Sequence, residues 1–188
     1  MQWLRENAAR LNVDPDRIGV IGGSAGGHLA HMVALAPPEL AATDPAAVGL
    51  SADTPVDGVL CAVNLYGPVD FLTGIGDIDK PAASITMFPG PVSEHEDSYR
   101  AASPISYISP DNVPVFLLHG TEDPIVDIKQ SERYYSRARE FGAPVEYKAV
   151  EGAGHAFHLE PLPGTDLRPE VLAFFGEHLQ PGGAECVQ

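Results

Sequence analysis

The sequence is poor in cysteine, in basic residues and in long apolar runs, and each shortage bears on the class of protein. Two cysteines, Cys61 and Cys186, are too few to predict a disulfide framework. Only 11 lysine and arginine residues stand against 26 acids in 188 residues, for a formal net charge of −15. Because such a surface repels phosphate backbones, we expect no nucleic-acid partner.

The apolar runs fall far short of the roughly 20 residues that a membrane-spanning helix needs. No signal-peptide pattern follows Met1, so we expect a cytoplasmic protein with no membrane span. Hydrophobic residues make up 44% and charged residues 20% of the chain, as in ordinary globular proteins. We expect one domain over residues 1–180, followed by a flexible tail over residues 181–188.

Short apolar runs alternate with segments of helical spacing. We expect buried strands over residues 18–21, 58–66 and 115–118, and a fourth strand over 145–150. We expect helices over residues 2–11, 26–36 and 127–141, and a last helix from about Pro169. This alternation predicts the α/β class, with a mostly parallel sheet and helices on both of its faces.

The terminal helices show apolar faces in the sequence. The first helix would bury Trp3, Leu4, Ala8 and Leu11. The last would bury Val171, Leu172, Phe175 and Leu179.

Two longer segments do not fit the alternation. Residues 37–57 are rich in Pro, Ala and Asp, and we expect a loop there. Residues 67–112 are too long for a plain connection in a compact domain. We expect a cap or substrate-binding insertion, with a solvated excursion carrying short helices as the alternative. Four apolar residues of this insertion would wall a substrate pocket: Phe71, Ile75, Met87 and Phe88.

A serine stands on a glycine-rich turn directly after the first predicted strand. The stretch GGSAGG at residues 22–27 has the G-x-S-x-G pattern of a nucleophile elbow, with a predicted helix behind it. Glycines beside Ser24 would allow positive φ angles and let strand and helix pass close together. A plain glycine-rich connection is the alternative, since short glycine motifs also occur by chance.

An acid and a histidine follow two later strands. Asp123 comes after the third strand and His155 after the fourth, and the carboxyl ends of parallel strands meet at one sheet edge. The order Ser24, Asp123, His155 is that of the α/β-hydrolase arrangement. We expect His155 to accept the Ser24 proton and Asp123 to orient the imidazole. The backbone N–H of Ala25 is the expected oxyanion donor.

Other interpretations of these residues stay open. Glu122 is a rival acid, and Asp123 could merely cap a turn. Asp127 is better explained as the N-cap of the following helix. His155 and His158 could form a metal pair, but no third ligand with suitable spacing accompanies them. We therefore expect neither a metal nor a cofactor.

Six segments together resemble the α/β-hydrolase esterase/lipase family. They are DPDRI at 14–18, GGSAGGHLA at 22–30, YGPVDF at 66–71, ASPI at 102–105, HGTED at 119–123 and GHAF at 154–157. Within that family they resemble the bacterial feruloyl-esterase-like and acetyl-xylan-esterase-like carboxylesterases. The resemblance covers residues 1 to about 180. It implies Ser24 as nucleophile, Asp123 as acid and His155 as base.

The front of the chain departs from the family pattern. About half of the family's eight-stranded sheet precedes the elbow strand, together with a His-Gly-Gly-type loop that supplies oxyanion donors. Met1 falls inside the helix before that strand, so the resemblance implies a fold truncated to its C-terminal strands. Loss of one oxyanion donor costs about a hundredfold to a thousandfold in rate. We also expect the strand over Ile18–Ile21 to be an exposed edge through which the chain forms homo-oligomers.

These features predict a serine carboxylester hydrolase that acts on small or acyl/aryl esters through an acyl-enzyme. One alternative is a catalytically weak or silent truncated hydrolase that serves as an oligomerising or binding module. A second is a prolyl-oligopeptidase-type peptidase. The elbows of those peptidases usually carry bulky aromatic residues beside the serine, whereas Gly23 and Ala25 are small.

Overall fold

The computed structural model describes residues 1–35, 58–74, 88–159 and 166–180. Three predictions lie outside these residues: the loop over 37–57, the pocket-wall roles of Ile75 and Met87, and the flexible tail over 181–188.

The described residues form one four-stranded sheet between helices. The strands are β1 (Gly19–Gly23), β2 (Cys61–Leu65), β3 (Val115–Gly120) and β4 (Val145–Val150). The helices are α1 (Gln2–Glu6), α2 (Ala8–Leu11), α3 (Ala25–Leu35), α4 (Val92–Ala101), α5 (Lys129–Phe141) and α6 (Arg168–His178), with a 3₁₀ turn over Pro104–Tyr107. All strand pairs are parallel and follow chain order, β1-β2-β3-β4. The predicted α/β class is confirmed.

Apolar clusters lie on both faces of the sheet. Successive residues of a strand point to opposite faces, so the residues of β2 divide between the two clusters. Cys61 and Val63 belong to the cluster beneath α6, and Ala62 belongs to the cluster beneath α3 and α5. Cys61 is fully buried, as its apolar run predicts. Helices therefore cover both faces of the sheet, as expected.

Strand β1 is less buried than predicted. Ile18 is buried, but the Ile21 side chain is 49% exposed. In the described part of the chain β1 pairs with β2 alone, so one side of β1 has no neighbouring strand. The prediction of a buried strand over 18–21 is therefore wrong for Ile21, whereas the prediction of an edge strand is confirmed.

The first predicted helix is divided in two. Asn7 has φ −103° and ψ 7° and separates α1 from α2. Asn12 ends α2 in the left-handed conformation. Ala8 is buried as predicted, but Trp3 is 62% and Leu11 37% exposed, so the predicted apolar face is wrong at these two residues.

The later helices follow their predicted boundary signals more closely. Gly142, with φ 72°, ends α5 as predicted. Asp127 lies one residue before the N-cap position of α5, which is Ile128, so its predicted N-cap position is wrong by one residue. Its Oδ1 nevertheless accepts the Lys129 N–H at 2.9 Å. Helix α6 buries Phe174, whose ring centroid is 5.5 Å from that of Phe116. Leu172 is 68% exposed, so its predicted core position is wrong.

The described part of segment 67–112 contains α4 and the 3₁₀ turn. Phe71 is buried and packs with Phe88 and Tyr99, and the Phe88 and Tyr99 rings stack with centroids 3.7 Å apart. Phe71 thus contributes to the segment's own apolar cluster. A role of the segment as a cap or substrate-binding insertion stays a prediction.

Candidate active site

Ser24 occupies the sharp turn between β1 and α3. Its φ is 56°, a left-handed conformation that costs a non-glycine residue about 1–3 kcal/mol. The Ser24 N–H donates to Leu65 O at 2.9 Å, and the Ser24 carbonyl accepts the His28 N–H at 3.0 Å. These bonds to β2 and to α3 hold the strained residue in place.

The glycines around Ser24 provide space. A Cβ at Gly22 would lie 2.1 Å from the Gly26 carbonyl oxygen, and one at Gly27 would lie 2.3 Å from Asn64 Oδ1. The predicted close approach of strand and helix is therefore confirmed. The residue of this turn with a positive φ is Ser24 itself. The prediction that the flanking glycines adopt positive φ angles is therefore wrong.

The structure brings Ser24, His155 and Asp123 together. His155 Nε2 lies 2.9 Å from Ser24 Oγ, and His155 Nδ1 lies 2.7 Å from Asp123 Oδ2. Because the carboxylate can only accept, Nδ1 carries the ring hydrogen and Nε2 accepts the serine O–H. The His155 side chain is 14% exposed and that of Asp123 is fully buried. In this arrangement the imidazole can take the proton of the serine hydroxyl.

The Asp123 carboxylate has further donors in its own loop. Its Oδ1 accepts the N–H groups of Ile125, at 2.8 Å, and Val126, at 3.0 Å. Asp123 thus caps a turn and faces His155 at once, so the two interpretations are compatible. The rival acid Glu122 is exposed, and its backbone N–H bonds to Ala153 O at 2.9 Å.

Ala25, the predicted oxyanion donor, is the first residue of α3. The first N–H groups of a helix have no carbonyl partner within it. The Ala25 N–H lies next to Ser24 in the chain and stands at the positive end of the helix dipole. Its predicted role stays a prediction.

Tyr66 is a residue of the site that the sequence analysis did not single out. It follows β2 directly with φ 45°, and its ring meets the His155 ring edge-on, with centroids 4.6 Å apart. Burial, with a smaller effect of the Asp123 charge, raises the pKa of Tyr66 to about 12. The sequence feature that could have identified Tyr66 is its position directly after a predicted strand, at the same sheet edge as Ser24.

The Tyr66 hydroxyl is hydrogen-bonded to His158 Nδ1. Burial, followed by the charge of His155, lowers the pKa of His158. Nδ1 of His155 and Nδ1 of His158, the two histidines of the alternative metal pair, are each hydrogen-bonded to a protein side chain. In the described residues no group of three or more His, Cys, Asp and Glu side chains could hold a metal ion.

His119 is a second residue without an assigned role in the sequence analysis. It lies near the end of β3 and is fully buried, with Nε2 3.3 Å from Asp123 Oδ2. The sequence feature that could have identified His119 is its position four residues before Asp123, at the end of an apolar strand. That position is equally typical of a core histidine, so the pattern did not distinguish the two.

A cleft of about 510 Å³ lies apart from these residues, between segment 67–112 and α5. Its lining includes the Asp70–Arg133 ion pair, with 2.9 Å between Oδ2 and Nη1, but neither Ser24, Asp123 nor His155. No helix within the described ranges is long and apolar enough to cross a bilayer.

Comparisons with known proteins point to one group of hydrolases. A family model described as BD-FAE matches residues 1–137. Esterase LipQ of Mycobacterium tuberculosis is 38% identical over 178 residues, which are 92% of this chain and 40% of LipQ. The chain therefore spans less than half the length of that relative.

Two solved structures share the fold. A truncated form of a carbohydrate esterase from gut microbiota superposes with a TM-score of 0.72 at 24% identity, over 94% of this chain and 65% of that one. The propionate-bound esterase Est2 of Thermogutta terrifontis superposes with a TM-score of 0.67 at 25% identity, over 96% of this chain and 64% of that one.

Proposed function

Since the chain belongs to the BD-FAE family, we propose that it carries the catalytic centre of a serine carboxylester hydrolase acting on small or acyl/aryl esters. The names of its relatives support an ester substrate. The observation that carries the proposal is the hydrogen-bonded series Ser24–His155–Asp123, with its distances of 2.9 and 2.7 Å. That geometry suits nucleophilic catalysis, because a base lies within reach of the nucleophile and is itself oriented.

In the first half of the reaction Ser24 Oγ attacks the ester carbonyl carbon. His155 Nε2 takes the hydroxyl proton as the new C–O bond forms, and Asp123 stabilises the resulting imidazolium. The Ala25 N–H stabilises the developing oxyanion. Collapse of the tetrahedral intermediate breaks the ester C–O bond, and His155 returns the proton to the departing alcohol.

In the second half water replaces the alcohol. His155 Nε2 takes a proton from the water, whose oxygen attacks the acyl-enzyme carbonyl. The second tetrahedral intermediate releases the carboxylic acid, and the proton returns to Ser24 Oγ.

The substrate class is proposed from the relatives. Est2 of Thermogutta terrifontis is described with bound propionate, a three-carbon acid, which supports a short acyl group. The chain spans 64% of Est2 and 40% of LipQ, so turnover by this chain alone is itself part of the proposal.

The first prediction concerns the nucleophile. Ser24→Ala removes the attacking oxygen and is expected to lower kcat for p-nitrophenyl acetate and butyrate by at least about a thousandfold. The matched control is Ser98→Ala, which changes an exposed serine of α4 and should leave the rate unchanged. Equal rates for the wild-type chain and Ser24→Ala would contradict the esterase proposal.

A covalent probe separates this proposal from the silent-module alternative. A fluorophosphonate is expected to form one adduct per chain, on Ser24, which peptide mass spectrometry locates. An adduct without measurable turnover would indicate an activated nucleophile in a weak catalyst. Absence of both adduct and turnover would favour the silent module.

A further inference from the structure

We propose that His119 is a positioning residue, which holds the Asp123 carboxylate in line with His155 by donating a hydrogen bond from Nε2 to Oδ2. This inference rests on the proposed function, because it assigns a role within the same catalytic group. His119 touches neither the nucleophile nor the substrate position, so its effect would pass through Asp123.

Three contacts define the His119 imidazole. Its Nδ1 lies 2.8 Å from Ser131 Oγ, and its Nε2 lies 2.9 Å from Val126 O and 3.3 Å from Asp123 Oδ2. The side chain is fully buried. The ring therefore joins α5, which carries Ser131, to the loop that carries the acid.

The partners determine which ring nitrogen carries hydrogen. The Val126 carbonyl can only accept, so Nε2 must donate. Burial, the largest influence, lowers the pKa of His119 despite opposing effects of Val126 and Asp123, which favours the neutral ring. Nδ1 is then an acceptor for the Ser131 hydroxyl. The Nε2 hydrogen bonds to Val126 O, and Asp123 Oδ2, 3.3 Å from Nε2, is a second acceptor within its reach.

The neutral state of His119 suits a positioning role. A second imidazolium beside Asp123 would repel the positive charge that His155 acquires during catalysis. A neutral N–H satisfies the buried carboxylate without that repulsion. His119 thus supplies a hydrogen bond to Asp123 and adds no competing charge.

The two oxygens of Asp123 are held differently. Oδ1 accepts two backbone N–H groups of its own loop, those of Ile125 and Val126. Oδ2 faces the imidazoles of His119 and His155. Without His119, Oδ2 would be restrained chiefly by the very residue that Asp123 must orient. The carboxylate could then rotate, and His155 would spend less time aligned with Ser24.

The test compares substitutions that keep or remove the donor. Gln at position 119 can place an amide N–H near the position of Nε2, whereas Leu has no donor. His119→Leu is expected to lower kcat for p-nitrophenyl acetate about tenfold to a hundredfold with KM unchanged, since hydrogen bonds to charged groups have that magnitude. His119→Gln is expected to restore most of kcat. Ser136→Ala changes an exposed serine of α5 outside this group of contacts and should stay close to wild type.

A spectroscopic readout does not depend on turnover. The proton between His155 Nδ1 and Asp123 Oδ2 is expected to give a low-field NMR resonance in the wild-type chain and in His119→Gln. In His119→Leu it should broaden or disappear as the bond becomes less persistent. If the wild-type chain hydrolyses no ester, the proposed function fails while this resonance still tests the positioning role.

Folding is monitored by circular dichroism and thermal unfolding. A folded His119→Leu variant that retains both the wild-type kcat and the resonance would overturn the proposal. If His119→Leu does not fold, His119→Asn replaces it, because Asn places its amide near the position of Nδ1 and leaves Oδ2 without the donor. His119→Asn must then show the losses, and wild-type behaviour in that variant would equally overturn the proposal.

Discussion

His31 is a buried imidazole behind the elbow. It is fully buried in α3, with Nδ1 3.1 Å from the Asn64 amide nitrogen and its ring centroid 4.4 Å from that of Tyr134. Asn64 Oδ1 in turn accepts the Gly67 N–H at 2.8 Å. Burial is the main cause that lowers the pKa of His31 to about 3, with a further lowering by His28. His31 is thus a neutral part of the packing between α3 and β2.

This residue makes stability depend on pH. The unfolded chain binds a proton at His31 below about pH 6.5, while the folded chain does not until far lower pH. The unfolded state therefore binds more protons, and the free energy of unfolding falls as pH falls, by up to about 1.4 kcal/mol per pH unit for this one group. Measured by urea unfolding at several pH values between 7 and 5, the free energy of unfolding should fall less steeply with falling pH in His31→Leu than in the wild-type chain. Equal slopes in both proteins would contradict the assignment.

At the scale of elements, the strand–turn–helix unit from β1 to α3 depends on close backbone approach. Gly22 faces the Gly26 backbone, where a Cβ would lie 2.1 Å from the carbonyl oxygen, so the turn would have to open. A Cβ on Gly26, inside α3, would meet nothing within 4 Å. Close packing therefore requires glycine at position 22, whereas it leaves room for a larger residue at position 26.

Substitution by alanine should lower the stability of the chain at Gly22 and raise it at Gly26. Gly22→Ala is expected to cost about 1–3 kcal/mol through overpacking, and displacement of Ser24 should lower kcat about a hundredfold. Gly26→Ala should stabilise the chain by about 0.5–1 kcal/mol, since alanine favours a helix over glycine. Urea unfolding and p-nitrophenyl acetate turnover measure both effects. A Gly22→Ala variant as stable and active as Gly26→Ala would show that the close approach is unimportant.

At the scale of the whole molecule, one side of the sheet presents an apolar edge, because β1 pairs with β2 alone among the residues that the structure describes. Ile21 on β1 is 49% exposed, and Leu29 and Val33 on α3 are 60% and 48% exposed. An unpaired strand edge beside apolar side chains favours pairing with another chain. We propose that copies of this chain associate through this edge.

Light scattering at micromolar concentration tests the association. The wild-type chain is expected to show a mass above its 19.9 kDa monomer. Ile21→Lys should shift it towards the monomer, because a charged residue on an edge strand opposes pairing. Leu172→Lys changes an even more exposed apolar residue, on α6, and should have no effect. A monomeric wild-type chain would refute this mode of association.

Sequence patterns predicted the parts of the site that depend on local chemistry. The turn at residues 22–27 and the acid and histidine after later strands are visible as motifs, and their order along the chain predicted their meeting at one sheet edge. Tyr66 and His119 were not predicted as site residues. Each belongs to the end of an apolar strand, where an aromatic residue or a histidine is more often part of the core.

Local patterns are enough to predict the α/β class, because strand and helix periodicities and turn residues act over a few positions. The distances among Ser24, His155 and Asp123, and the placing of His119 against the acid, follow instead from the packing of the folded chain. The same packing buries Phe174 of α6 and leaves Leu172 exposed. These outcomes depend on how segments far apart in the chain pack together, and packing selects among faces and rotamers that local patterns leave equivalent.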